Sequence, residues 1–151
     1  MTTDHDNEDA KASLYTVIVG CGRLGSMLAN ELSRRGHSVV VVDVDSDAFR
    51  NLSPEYSGFR VEGDATERGV LEEAKVPKAD LVIATTEQDN INLMVSQIAT
   101  EVYSVPRVMA RVFSPAREET FRSMGIEVIC PTREAGRLFL DAVSRHNREV
   151  G

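Results

Sequence analysis

From Leu14 onward, short runs rich in Val, Ile and Leu alternate with longer stretches in which apolar residues recur every three or four positions. The short runs are Tyr15–Val19, Ser38–Val42, Phe59–Val61, Asp80–Thr85, Arg107–Val112 and Glu127–Ile129. Near-continuous apolar character over so few residues fits strands covered on both faces, as in a parallel sheet. Between them, Leu24, Met27, Leu28 and Leu32 fall at helical spacing, as do Ile91, Met94, Val95 and Ile98. Phe121 with Met124, and Leu138 with Ala142, mark later helices. Strands alternating with helices predict βαβ units, and so an α/β, Rossmann-type doubly wound six-stranded parallel sheet with helices on both faces.

The punctuation agrees with this period. Gly36 stands where a helix commonly ends in a left-handed residue, and Ser46, Thr66 and Ser114-Pro115 are expected helix starts. Residues 1–13 carry Asp4, Asp6, Glu8 and Asp9 with almost no apolar side chain, and a disordered acidic tail is expected there. The folded domain is expected over 14–148, with no internal repeat or low-complexity tract.

Composition narrows the function. A chain of 151 residues leaves room for one domain, so a nucleotide half and a separate substrate half are not expected together. The net charge of −7, with scattered Lys and Arg, argues against a nucleic-acid partner. No apolar run approaches the roughly 20 residues that span a bilayer, and the start lacks the basic-then-apolar order of a signal peptide. A cytoplasmic location is expected. Cys21 and Cys130 lie far apart without metal-ligand spacing and read as packing residues. His5, His37 and His146 fall in the tail, in a turn and near the carboxyl terminus, so none is placed as a general acid or base.

The strongest chemical feature is Gly20-Cys21-Gly22-Arg23-Leu24-Gly25, between the first run and the first helix. In a GxGxxG loop the first glycine permits the tight turn, the second lets backbone approach a pyrophosphate, and the third lets helix and strand pack closely. Free amides at the helix start, with the positive end of its dipole, favour an anion. Asp43, followed by Val44, ends the second run, where an acidic residue accepts hydrogen bonds from ribose hydroxyls and repels a 2′-phosphate. A loop cap is the plain alternative for Asp43.

Further positions have two roles open. Asp64 and Ala65, in Gly63-Asp64-Ala65-Thr66, stand where the adenine end of a ligand would lie, while Asp64 or Thr66 as helix cap is the other role. Thr85 and Thr86 line the distal crevice, or Thr86 or Asp89 caps the next helix. Arg23 forks across phosphates, which favours ATP or ADP, or faces solvent. Arg111 reaches the ligand's far end or forms an ordinary salt bridge.

Taken together, Val17 to Gly25, Val41-Val42-Asp43, Gly63 to Thr66, Asp80 to Thr86 and Met124 to Pro131 resemble the N-terminal RCK (TrkA-N) domain of Trk- and Ktr-type potassium uptake systems. The resemblance covers about 15–140. It implies a domain that dimerises, assembles in rings beneath a membrane potassium channel or transporter subunit, and regulates it by the adenine nucleotide bound, ATP/ADP or NAD/NADH. It also implies a phosphate loop at Gly20 to Gly25, a ribose acid at Asp43, an adenine element at Asp64 and Ala65, and Arg23 at terminal phosphates. Two departures are visible: Thr132 stands where family members commonly carry glutamate after the proline, and the C-terminal RCK subdomain is not in the sequence. The expected function is a non-enzymatic, nucleotide-sensing regulatory subunit or domain. The alternatives are a small NAD-dependent oxidoreductase relying on Thr85, Thr86 or Glu87, and a redox sensor using Cys21. A last helix from Arg133 through Phe139 to Arg145 is expected to cross to a partner subunit or to pack as a plain terminal helix.

Overall fold

The computed structural model describes residues 13–150, so the tail expected at 1–13 lies, but for Ser13, outside the described residues. Six strands form one parallel sheet: β1 (Tyr15–Val19), β2 (Ser38–Asp43), β3 (Phe59–Glu62), β4 (Leu81–Ala84), β5 (Arg107–Arg111) and β6 (Glu127–Ile129). Their order is β3-β2-β1-β4-β5-β6. The chain therefore leaves β1 in both directions, and the crevice between β1 and β4 is the switch point at which such sheets bind ligands.

Helices cover both faces. The α1 helix (Arg23–Arg34) lies over Ile18, Val39, Val41 and Ile83 on one face. On the other, α2 (Arg68–Glu73), α3 (Asp89–Gln97, continued by a π turn over Ile98–Val102) and α4 (Glu118–Ser123) cover Val17, Val19, Val82 and Val108. Alternate residues of each strand feed the two apolar layers, which is why β1, β2 and β4 read as unbroken apolar runs.

The expected strand ends shift by a residue at several places, because pairing and not hydrophobicity sets them. Asp80 and Thr85 fall outside β4, although both amides still reach β1 carbonyls, Tyr15 O and Val19 O. Gly36 has a φ of +90° and closes α1, with its amide on Ser33 O and that of His37 on Leu32 O. Two expected helix starts are corrected. Asp45, not Ser46, caps a 3-10 helix over Ser46–Asn51, by accepting from Asp47 N. Thr66 caps nothing, because α2 begins two residues later behind Glu67. At Ser114-Pro115 the proline does open a 3-10 turn (Pro115–Arg117), without a side-chain cap from Ser114.

The last helix, α5, runs Pro131–Val150, two residues earlier at its start than the spacing suggests. From Thr132 to Arg148 every residue is exposed, including Leu138, Phe139, Leu140 and Val143. It is not a packed terminal helix.

Candidate functional site

The glycine loop joins β1 to α1 at the switch point. Gly20 has a φ of +106°, a conformation that favours glycine, and its amide donates to Val42 O at 2.8 Å. A Cβ at Gly25 would lie 1.8 Å from Gly20 O, so only glycine lets the helix start this close beneath the loop. A Cβ at Gly22 would meet nothing within 4 Å. The second glycine thus has no steric duty inside the chain, and the space beside it is open.

Gly22 is also the N-cap of α1, and it offers no side-chain cap; the first turn holds no acidic residue. Ser26 N, bonded to Gly22 O, is the first amide of α1 with an intrahelical partner. The preceding amides and the positive end of the helix dipole are therefore unneutralised from within the helix. Arg23, exposed, adds a positive charge there. Leu24 is half-buried behind it.

Asp43 ties the loop to β2. Its Oδ2 accepts from Cys21 N at 2.8 Å and its Oδ1 from Asp45 N at 2.9 Å. Val44, the next residue, is 72% exposed. Cys21 itself is fully buried, and burial, then the Asp43 carboxylate, push its thiol up to about 11 against the opposing pull of Arg60. Full burial gives Cys21 the place of a packing group, and the upward shift of its thiol works against thiolate chemistry there.

Asp64 follows Gly63, whose amide donates to Asp43 O at 2.9 Å and so couples the two loops. The Asp64 carboxylate accepts from Thr66 N (2.9 Å) and Thr66 Oγ1 (2.7 Å), and these bonds hold it below its ordinary value. It shapes an exposed turn and does not cap α2. Ala65 is buried beneath it.

Two distal assignments change. Thr85 is buried, and its hydroxyl donates to the loop, with Val19 O at 3.0 Å and Gly20 O at 3.2 Å. Its side chain braces the glycine loop from below and does not line the crevice. Arg111 forms no ion pair with the described residues: its Nη2 donates to Thr85 O and to Thr86 O (3.1 Å), and the guanidinium lies 4.7 Å above the Phe113 ring. Burial lowers its pKa, against the opposing charges of Glu87 and Asp89.

Asn92 organises this end and was not anticipated. It is fully buried on α3; its Oδ1 accepts from Thr86 N (2.9 Å) and Thr86 Oγ1 (2.6 Å), and its Nδ2 donates to Thr86 O (3.0 Å) and Arg111 O (2.9 Å). A polar residue three positions before Val95 on the apolar face of α3 was its one legible signal. Neither Thr86 nor Asp89 caps α3, whose N-cap is Gln88 without a side-chain bond. Asn51 was also missed; its Nδ2 donates to Cys21 O at 3.0 Å, a contact made by the 3-10 turn after β2.

Among the described residues no group of His, Cys, Asp and Glu is placed to hold a metal ion, and no helix is long and apolar enough to cross a membrane.

With this geometry, the TrkA-N domain family model matches residues 16–131. The chain belongs to the TrkA-N domain family. It is 37% identical over 120 residues to the Trk system potassium uptake protein TrkA of Streptomyces coelicolor, covering 80% of this chain and 54% of that protein. It is 37% identical over 133 residues to the TrkA homolog of Methanothermobacter thermautotrophicus, covering 87% and 61%. This TrkA-N domain therefore spans about half to three fifths of the length of those relatives.

Among solved structures, the TrkA-N domain of the inner membrane protein ybaL from Escherichia coli superposes with a TM-score of 0.77 at 22% identity, over 85% of this chain and 95% of that one. The GsuK channel bound to NAD gives 0.70 at 28% identity, over 84% of this chain and 23% of that one. GsuK bound to ADP gives 0.71 at 26%, over 84% and 34%. The doubly wound sheet is thus that of TrkA-N and RCK domains.

Proposed function

We propose that this TrkA-N domain binds an adenine nucleotide, ATP/ADP or NAD/NADH, at the β1–α1 crevice and serves as the non-enzymatic sensing part of a potassium channel or transporter. The observation that carries this reading is the open space at Gly22 above the uncapped start of α1. Phosphates there would take the free amides of the helix start, with Arg23 reaching those farthest out. Asp43 retains lone pairs for ribose hydroxyls while holding the loop. The bare Val44 side chain and the Asp64-Ala65 turn would face the adenine. The kinship to potassium uptake proteins, and the NAD and ADP bound to GsuK, support the choice of ligand and partner.

The exposed stripe of α5, with Leu138, Phe139 and Val143, supports pairing with a second copy. Ile129, 46% exposed on β6, adds to the uncovered apolar surface. Paired domains at the cytoplasmic face of the plasma membrane would pass a nucleotide-dependent change to the membrane partner. Such a change requires different affinities for two arrangements.

The test is thermal stability of the purified chain with ATP, ADP, NAD, NADH or NADPH. A ligand at about 100 times its Kd adds about 2.7 kcal/mol, a melting shift of about 5 to 10 °C for this size. A shift with the adenine nucleotides but not NADPH is expected, and its loss in Asp43→Ala places the ligand at this crevice. No shift with any of them refutes the reading.

A further inference from the structure

Three polar ties lead from the crevice mouth to the base of α5. Asp89, the first residue of α3, follows directly on the loop of Thr85 to Gln88, and its carboxylate accepts from Phe113 N (2.8 Å) and Ser114 N (3.2 Å). Asn90 takes the Arg117 guanidinium on its side-chain oxygen. Next to Arg117 comes Glu118, only 3% exposed, whose two carboxylate oxygens meet Arg133 Nε at 2.6 Å and Arg122 Nη2 at 2.8 Å.

Arg133 stands in the first turn of α5, and the rest of that helix is exposed. The direction of α5 is therefore set at its base. A buried carboxylate resists losing either guanidinium, because the oxygen that partner held would be left without a donor and away from water. The first two residues of α3 are thus tied to residues 113–117, and the adjoining Glu118 is tied to Arg133. At 20 residues α5 is about 30 Å long, so a tilt of about 10° at the base moves its far end by about 5 Å.

We propose that the Glu118–Arg133 pair is the coupling element through which occupancy of the nucleotide crevice sets the direction of α5. This rests on the nucleotide reading above, since a ligand must first bind the crevice. Coupling requires that the ligand prefer one arrangement of this path over another.

The experiment is amide hydrogen exchange on the whole chain with saturating ADP and, separately, NAD. In the parent chain, ligand-dependent changes are expected at 20–25, at 113–118 and at 131–137. In Glu118→Gln and Arg133→Gln the first two persist and the change at 131–137 is lost, while affinity stays within about twofold, as for residues outside a binding surface. Arg133 is exposed, so its variant keeps the fold even where an amide buried at 118 does not. A change at 131–137 that survives in Arg133→Gln overturns the proposal, as does a parent in which 20–25 responds and 131–137 does not. If neither nucleotide alters 20–25, the nucleotide reading itself fails and the coupling falls with it.

Discussion

The carboxylate of Asp43, at the end of β2, accepts the backbone N–H of Cys21, in the loop after β1, at 2.8 Å. One side chain thus ties the end of β2 to the glycine loop and to the turn that follows the strand.

Removing Asp43 should therefore have two separable effects. Asp43→Ala leaves Cys21 N and Asp45 N without their acceptor, and a stability loss of about 1–3 kcal/mol is expected in urea denaturation. Asp43→Asn restores one acceptor and should recover part of that stability, yet lose about tenfold or more in nucleotide affinity, because the charged acceptor is gone. Calorimetric titration beside denaturation separates the two. Equal affinity of Asp43→Asn and the parent would remove Asp43 from the ligand site.

The glycines should divide by role. Gly25→Ala drives a methyl to 1.8 Å from Gly20 O, and a loss of more than about 3 kcal/mol is expected. Gly22→Ala meets nothing in the chain, so its stability should stay within about 1 kcal/mol, the cost of a poorer helix cap. Its nucleotide affinity should nevertheless fall, since the methyl enters the phosphate approach. Unaltered affinity in a folded Gly22→Ala protein would argue that the phosphates lie elsewhere.

Glu118 should contribute to the loss of stability in acid. The hydrogen bond from Arg133, and then the charges of Arg133 and Arg122, hold its carboxyl below the ordinary value, against the effect of burial. A folded pKa below the unfolded one contributes stability in full above the unfolded value of about 4.3, and loses it as pH falls through the folded value. Glu118→Gln should thus be less stable than the parent near neutrality, with the gap closing in acid. Denaturation from about pH 6 to 3 checks this, and a gap that stays constant would contradict it.

Cys21 should be inert in the native protein. With its thiol pushed up to about 11, only about one molecule in ten thousand carries the thiolate at pH 7. Iodoacetamide that fully modifies the urea-unfolded chain should leave Cys21 unmodified when native, as read by mass spectrometry. Rapid native labelling would restore the redox reading.

The glycine loop was legible because its constraints are local: a turn at positive φ, a close helix approach and an acidic residue one strand later are all properties of a short stretch of backbone. Expected helix starts at Ser46 and Thr66 failed for a local reason as well. At Ser46 the preceding Asp45 is the cap, its carboxylate accepting from Asp47 N, and at Thr66 the Asp64 carboxylate closes a turn by accepting from Thr66 N and Oγ1, so α2 starts two residues later. Charged acceptors compete better for such bonds.

Arg111, Thr85 and Asn92 were a different matter. Their partners are backbone groups on other elements, and nothing in the spacing of side chains says which carbonyl of β4 will come within reach of β5 or α3. The role of Thr85 as a brace depends on β1 and β4 being neighbours, a pairing across 65 residues between Gly20 and Thr85.

By itself the sequence determined the class of sheet, its six strands, the tight glycine loop and the acid one strand later, because apolar periodicity and glycine geometry act over a few residues. Only the tertiary structure decided that Arg111 is spent on the carbonyls of Thr85 and Thr86, that Cys21 is fully buried in the core, and that α5 leaves the body anchored by Glu118. The physical reason is that desolvation and hydrogen-bond satisfaction belong to a place in space, and strands far apart in the chain build that place together.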